Sequence, residues 1–315
     1  TYDLQFDLYR DAIEAMPYSK YLHIGAGKVG FSLGKYLKEN GVEITGYFSK
    51  SPESAKSAAD FTNTKLYKSI ENILSDSDTL FITVPDGQIS KVWDYMKNLD
   101  IKNKNICHCS GSISSTVFFD GENLGANIYS VHPLYAISDK CESWKHLNKA
   151  YFTVEGSAEN LDEIKSIFER AGNKVIAMGA ENKSLYHCGA VVVSNLVNGL
   201  FQVGAEMLVK CGFDKKDAKK ALVPLFTGNA DTLAEKGVAA ALTGPVERND
   251  LSTITKHIEA IEAAWINESE EKVGYEMIYL LLSEKLLSIA QEKHLDSDYL
   301  KMTEVIKNEK HSIHF

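Results

Sequence analysis

Ten consecutive residues constrain the fold of this chain more than any other feature. Tyr21-Leu22-His23-Ile24 has the pattern of a short apolar strand, and it runs directly into Gly25-Ala26-Gly27-Lys28-Val29-Gly30, after which Phe31, Leu33, Gly34 and Leu37 mark a helix. Strand, G-x-G-x-x-G turn and helix, in that order, open a dinucleotide-binding unit. Gly25 permits the tight turn, Gly27 lets the backbone approach a pyrophosphate, and Gly30 lets the helix pack close to the strand. The phosphates then rest on unpaired N–H groups at the helix N-terminus, so residues 25–30, Ala26, Lys28 and Val29 included, form the expected cradle. A glycine-rich turn without a ligand is the plainer alternative. The strand before it, the helix after it and a second strand at the right distance favour the cofactor.

That second strand, Val42 to Phe48, ends in Ser49-Lys50-Ser51. An NAD site would place a carboxylate there to hold the ribose 2′-hydroxyl. Two hydroxyls and a cation suit a 2′-phosphate instead, so NADP is expected over NAD. Strands over Thr79 to Val84 and Asn105 to Cys109 run into Pro85 and into Ser110-Gly111. Ligands of open α/β sheets sit outside the carboxyl ends of strands, which sets Val84, Pro85, Ser110 and Gly111 on the expected nicotinamide side. Ordinary turn chemistry would also explain each of these four taken alone.

Up to about Ala180, β-branched runs alternate with helical stretches; further strands are expected over Asn127 to Val131, Tyr151 to Val154 and Lys174 to Ala177. Such alternation predicts a parallel sheet wrapped by helices. Beyond Glu181 only helical patterns follow, over Asn182 to Cys211, Asp214 to Ala234, Ser252 to Asn267 and Glu270 to Lys293. The fold class read from this is an α/β N-terminal Rossmann dinucleotide-binding domain, residues 1–180, followed by an all-α C-terminal domain, residues 181–315, for substrate binding and dimerisation. Its 315 residues suffice for two cores.

Composition excludes several classes of function. A formal net charge of -9, with no run of five or more like charges, makes nucleic acid an unexpected partner. Thr1 to Arg10 mixes Asp3, Asp7 and Arg10 among its apolar residues and lacks the pattern of a signal peptide. Uninterrupted apolar runs such as Ala190 to Val193 and Ile278 to Leu282 fall short of the roughly 20 residues needed to span a bilayer, so no membrane partner is expected. Five cysteines, odd in number and sparse, fit free thiols in a cytoplasmic protein.

Catalytic candidates come from three places. His132 follows an apolar strand, so its imidazole emerges at the carboxyl edge of the sheet as a possible acid or base, or caps the turn before Pro133. The segment Asn182 to Cys211 is apolar nearly all round and is expected to be buried, yet His187, Ser194, Asn195, Asn198 and Gln202 draw a polar stripe along it. The stripe either bonds to neighbouring helices or a dimer mate, or faces an interdomain cleft and holds a polar substrate; His187 and Asn195 are then catalytic candidates, and Ser194 and Asn198 substrate contacts. Arg248 could clamp a substrate carboxylate, with His257 nearby, or it could pair with Asp250. Cys107-His108-Cys109 alternates faces on a strand and cannot chelate, so no metal is expected. His311 and His314, near a polar end, are expected to be frayed.

Taken together, the chain resembles the 6-phosphogluconate dehydrogenase-like superfamily, with its β-hydroxyacid dehydrogenases and pyrroline-5-carboxylate reductase. His132-Pro133-Leu134, Tyr186-His187, Ser194-Asn195, Leu242-Thr243-Gly244-Pro245 and His257 are similar to a bacterial group of Rossmann-like NADP oxidoreductases whose helical C-terminal domain has no assigned function. The resemblance implies an NADP-linked oxidoreductase, usually a homodimer, and names no substrate. One departure matters: counting along the interdomain helix puts Ala190-Val191 where β-hydroxyacid dehydrogenases carry a catalytic lysine. His187 could replace it, or the reaction could be reduction of an already protonated imine. Two functions follow as expectations: reduction of a small carbonyl or imine compound by NADPH, or a non-catalytic regulator that senses NADP.

Overall fold

The computed structural model describes residues 21–313. Thr1 to Arg10 and His314, read above, lie outside the described residues. The chain divides into two compact units, the first ending at Ser194 and the second beginning at Asn195. The helix carrying His187 therefore belongs to the first unit, although the change in sequence character falls near residue 180.

The first unit is built on an eight-stranded sheet of order β3-β2-β1-β4-β5-β6-β7-β8. Its strands are β1 (Tyr21–Ile24), β2 (Ile44–Phe48), β3 (Lys65–Leu66), β4 (Thr79–Ile82), β5 (Asn105–His108), β6 (Asn127–Leu134), β7 (Tyr151–Gly156) and β8 (Lys174–Ala177). Its helices are α1 (Lys28–Glu39), α2 (Pro52–Thr62), α3 (Ile70–Asp76), α4 (Asp86–Met96), α5 (Leu161–Arg170) and α6 (Lys183–Ser194). All four residues of β4 are buried, as befits a central strand covered on both faces. Phe81 joins one core with Phe31, Leu33 and Leu37 of α1 and Phe168 of α5. Leu80 and Ile82, pointing the other way, join a second core with Ile73 of α3 and Ile89, Trp93 and Met96 of α4. The strand order reverses between β1 and β4, the crevice where α/β sheets bind ligands.

Two features depart from the expected parallel sheet. β7 runs antiparallel to β6, with His132 opposite Thr153; the connection between them holds only a 3-10 segment, Ser143–Lys149, and no α-helix that would return the chain for a parallel crossover. β3, two exposed residues long, is too short to show a periodic pattern.

The second unit is helical, with no strand among the described residues: α7 (Leu196–Lys210), α8 (Lys215–Lys236), α9 (Val238–Ala241), α10 (Leu251–Ala264), α11 (Ser269–Lys293) and α12 (Leu300–Ser312). Its core gathers Leu242, Val246, Ile254, Ile258, Leu280, Leu287, Met302 and Ile306. The expected burial of one long helix over Asn182 to Cys211 is corrected. The segment is two helices parted at Asn195, and of their residues only Lys183 and Ala205 are buried. An apolar helix is buried only where another surface covers it, and Val193, Leu196 and Leu200 stay exposed among the described residues. The helical stretch Ala180–Lys210 is also long and apolar enough, by length and composition, to cross a membrane; interrupted by Ser, Asn and Gln, it escapes a reading based on unbroken runs.

Candidate functional site

The glycine turn is pinned to the end of β4. Gly25 has φ +116°, and a Cβ there would lie 2.7 Å from the Thr83 carbonyl oxygen. The Thr83 hydroxyl donates to the Gly25 carbonyl at 3.0 Å, and the Gly25 N–H donates to the Phe48 carbonyl at 2.8 Å. A Cβ on Gly30 would come within 2.3 Å of Thr83 Oγ1 and 2.5 Å of the Gly25 oxygen, so helix and turn are in contact there. At Gly27 the nearest such atom is 3.8 Å away, which leaves room for a ligand to meet the backbone. Helix α1 starts at Lys28 with no side-chain cap and no acid in its first turn. Its first N–H groups therefore have no intrahelical partner and suit an anion.

At the ribose end, both seryl hydroxyls help to close the turn: Ser51 Oγ accepts the Ser54 N–H that opens α2, and Ser49 Oγ accepts the Ser51 N–H. Lys50 between them is exposed. The ends of β4 and β5 are buckled together by a residue the sequence did not single out. Asp86 Oδ2 accepts the Ser110 hydroxyl at 2.8 Å and the Ser112 hydroxyl at 3.1 Å, while Ser110 Oγ accepts the N–H groups of Ser112 and Ile113. Val84 and Pro85 lead into α4 directly beside this buckle.

Beyond Gly111 the side chains converge. His132 Nδ1 bonds to the Tyr186 hydroxyl at 2.8 Å, the rings meeting edge to face. A Cβ on Gly111 would lie 2.7 Å from His187 Nδ1 and 2.9 Å from His132 Nε2, so both imidazoles close on the space that a side chain would fill. Lys183, one helical turn before His187, is 2% exposed, with its Nζ 5.6 Å from the centre of the Tyr186 ring. Neither Lys183 Nζ nor His187 Nδ1 has a hydrogen-bond partner among the described residues. Two polar groups left so in an interior are costly and call for an explanation. Burial lowers the Lys183 pKa against the opposing pull of Glu155, Cys109 and Asp86. Burial, then the charges of Lys183 and His187, takes His132 down to about 4, and burial raises Tyr186.

Lys183 was missed in the sequence. Lys183 stands two turns before Ala190-Val191, and Lys183, Tyr186 and His187, spaced three and four apart, share one face of α6. That spacing was the available signal; lysine's usual place in water hid it.

His108 on β5 shows the price of a second buried imidazole. Its Nδ1 accepts the Ser110 N–H, which leaves Nε2 to donate to the Ser114 carbonyl, and burial lowers its pKa to about 4. His108 and His132 thus refuse protons that the unfolded chain takes up below pH 6.5. Their contribution is fully present above pH 6.5 and is lost as pH falls from there toward 4. The urea midpoint is expected to fall across this window, by on the order of 2–3 kcal/mol of stability per histidine, and His108→Asn should flatten the slope. Cys107 and Cys109 are buried core residues, and no group of three metal-ligating side chains occurs among the described residues.

The other candidates have partners close by. Ser194 Oγ donates to the Ala190 carbonyl, and Asn198 Nδ2 donates to the Asn195 carbonyl at 3.3 Å. In the second unit Arg248 is exposed and its charge helps to lower the pKa of Asp250. His257 Nδ1 bonds to the Tyr279 hydroxyl at 2.8 Å. Asp250 is occupied with capping α10 through Thr253. His311 binds its own helix through the Lys307 carbonyl.

Residues 22–106 match a family model described as NADP oxidoreductase, coenzyme F420-dependent, and residues 150–285 match a domain of unknown function, DUF2520. No curated protein matches the chain. Among solved structures it is similar to protein TM1727 from Thermotoga maritima, with 24% identity, a TM-score of 0.69, and 87% of this chain and 99% of that one covered. Protein BF3122 from Bacteroides fragilis is similar at 21% identity and TM-score 0.61, covering 86% and 98%. A reductive aminase from Aspergillus terreus, solved with NADPH and ethyl-5-oxohexanoate, has 13% identity and TM-score 0.57, covering 94% and 95%. These likenesses show the fold, a Rossmann-like α/β domain followed by a helical region.

Proposed function

We propose that this chain is an NADP-linked oxidoreductase that reduces a small carbonyl or imine compound at the carboxyl edge of its sheet. The observation that carries the reading is the pairing of a phosphate cradle at one end of this edge with a desolvated Lys183, His132 and His187 cluster at Gly111. The match of residues 22–106 to an NADP oxidoreductase family supports it.

The residues present fit the dinucleotide. The amides of residues 25–30 would hold the diphosphate, Lys50 with Ser49 and Ser51 the 2′-phosphate, and Val84, Pro85, Ser110 and Gly111 would border the nicotinamide. Reduced nicotinamide supplies the hydride. The protein's part is to place the substrate and deliver a proton. As the substrate carbon takes the hydride, the π pair of its double bond moves onto the oxygen or nitrogen, the single bond remains, and that heteroatom takes a proton. Lys183 Nζ, with its lowered pKa, is the donor, backed by His187 and by the His132–Tyr186 pair; the amine left behind regains its proton from water.

Calorimetry tests the cofactor. NADP is expected to bind more tightly than NAD, and Lys50→Ala should cut that preference by roughly tenfold, the worth of one charged phosphate contact. A panel of ketones, aldehydes and cyclic imines then tests NADPH consumption. Absence of binding by either nucleotide overturns the reading.

The reading includes a homodimer. In the second unit Leu225 is 71% exposed and Val238 51% exposed, beside an apolar cavity of about 490 Å³ lined by Phe201, Leu222, Phe226 and Leu286. Uncovered apolar surface of this kind in a helical unit is assigned to a second copy of the chain. Light scattering is expected to give twice the chain mass, and Leu225→Glu to give monomers; a monomeric parent protein would count against it.

A further inference from the structure

One face of the sheet changes character along its strands. On β5 and β6 it is apolar at Ile106 and Ile128, which belong to the core shared with α4. Toward the carboxyl edge the same face carries His108, Ser130 and His132, and the pairing of Ser130 with Glu155 and of His132 with Thr153 continues it onto β7. Helix α6 meets this polar layer through the His132–Tyr186 bond, with Lys183 Nζ 5.6 Å from the centre of the Tyr186 ring. Glu155 is the acid of the layer and is buried. Its two oxygens accept the Ser115 N–H at 2.6 Å and the Ser115 hydroxyl at 2.8 Å, both acting as acceptors, as those of a carboxylate do.

We infer that Glu155 is a positioning residue, the fixed counter-charge that holds the Lys183 ammonium at the carboxyl edge of the sheet. The carboxylate does not hydrogen-bond to Lys183, whose Nζ has no such partner among the described residues; it acts through the low-dielectric interior, where a charge reaches further than in water. Ser115 locks it there. Burial lowers the Lys183 pKa, and of the groups that oppose burial Glu155 comes first, ahead of Cys109 and Asp86. The others are poorer counter-charges. Cys109 is pushed up to about 12 by burial and is an uncharged thiol at neutral pH, while Asp86 is exposed and screened by water. His108 and His132, each taken down to about 4 chiefly by burial, are uncharged there too, as is Tyr186, which burial raises. His187, on the same helix as Lys183, closes on Gly111 and brings no negative charge. For its catalytic consequence, though not for the charge coupling, the inference rests on the oxidoreductase reading above.

Nitrogen-15 NMR of the lysine side chains in the full chain follows the Lys183 proton directly, with Lys183→Met assigning the signal. Glu155→Gln keeps the shape and a hydrogen-bonding partner for Ser115 but removes the charge, and Lys183 should then hold its proton roughly tenfold or more weakly. Asp86→Asn should weaken that hold less. A proton donor must start protonated, so the alkaline limb of the kcat profile with NADPH should move to lower pH in Glu155→Gln by the same factor. A Lys183 titration unchanged in Glu155→Gln, an effect of Asp86→Asn just as large, or a limb that stays in place while the titration moves overturns the inference. If the titration moves and no substrate is reduced, the counter-charge stands and the oxidoreductase reading falls. Melting temperatures at neutral pH give a second test that needs no activity. Lys183→Met should raise the melting temperature more in a Glu155→Gln background than in the parent chain, because the ammonium has there lost its counter-charge. Equal gains in the two backgrounds overturn the inference.

Discussion

Lys183→Met is expected to raise the melting temperature and to suppress turnover at the same time. Lysine and methionine have similar unbranched shapes, so the substitution removes a charge and leaves the volume nearly unchanged. Lys183 is 2% exposed without a hydrogen-bond partner, and the charges that oppose its burial are a seryl-bound Glu155 and an exposed Asp86. A group held this way has a lower pKa folded than unfolded, so over the range below its unfolded value the folded state carries the cost of an ammonium out of water. Exchanging it for an apolar side chain should return about 1–4 kcal/mol, a shift of several degrees for a unit of this size. The loss of the proton donor should lower kcat by about 100- to 10,000-fold with carbonyl substrates. The His132 pKa should rise too, because the Lys183 charge helps to hold it down to about 4, and this moves the acid limb of any pH profile upward. Differential scanning calorimetry and steady-state kinetics on one preparation decide the matter. A variant that is both less stable and fully active would mean that the ammonium is satisfied by solvent and serves only the fold.

Lys183 also marks where sequence reasoning reached its limit. The glycine turn was legible because its chemistry lies in residue type: only a residue without Cβ fits 2.7 Å from the Thr83 carbonyl, and the sequence displays that residue openly. Seven of the strands showed themselves through runs of β-branched residues, and the helical second unit through its long helical patterns. The direction of β7 did not, because it depends on whether the preceding connection crosses the sheet, and Ser143–Lys149 carries no periodic pattern either way. The exposure of Val193, Leu196 and Leu200 did not either, since an apolar helix has one sequence whether its cover comes from its own chain or another. Lys183 was hidden for a third reason. A lysine is read as a surface residue, and only the fold, by setting α6 beside Gly111 and β6, turns three ordinary residues at positions 183, 186 and 187 into a cluster. His132 lay between these cases: its strand located it, but its partner Tyr186 is 54 residues away in the chain.

Gly111→Ala is expected to drive a methyl group directly into the two imidazoles of the cluster. The added Cβ would stand 2.7 Å from His187 Nδ1 and 2.9 Å from His132 Nε2, inside any real carbon contact, so both rings must move or the β5 end must give. Displacing His132 also strains its bond to Tyr186. An overpacking cost of about 1–3 kcal/mol in stability is expected, with a drop in kcat of about 100-fold, since sub-ångström misplacement of reacting groups is enough for that. Gly87→Ala is the control, because a Cβ there meets nothing within 4 Å in the first turn of α4. It should leave turnover unchanged and stabilise by about 0.5 kcal/mol through helix propensity. The cluster makes a sharper demand on the double variant. In a His187→Ala background the nearest obstruction is gone, so adding Gly111→Ala should cost clearly less than it does alone, and the two losses should fail to add. NADP affinity, measured alongside, distinguishes a displaced imidazole from a damaged nucleotide site. Additive losses, or a Gly111→Ala protein indistinguishable from Gly87→Ala, would show that His132 and His187 do not act together at this edge.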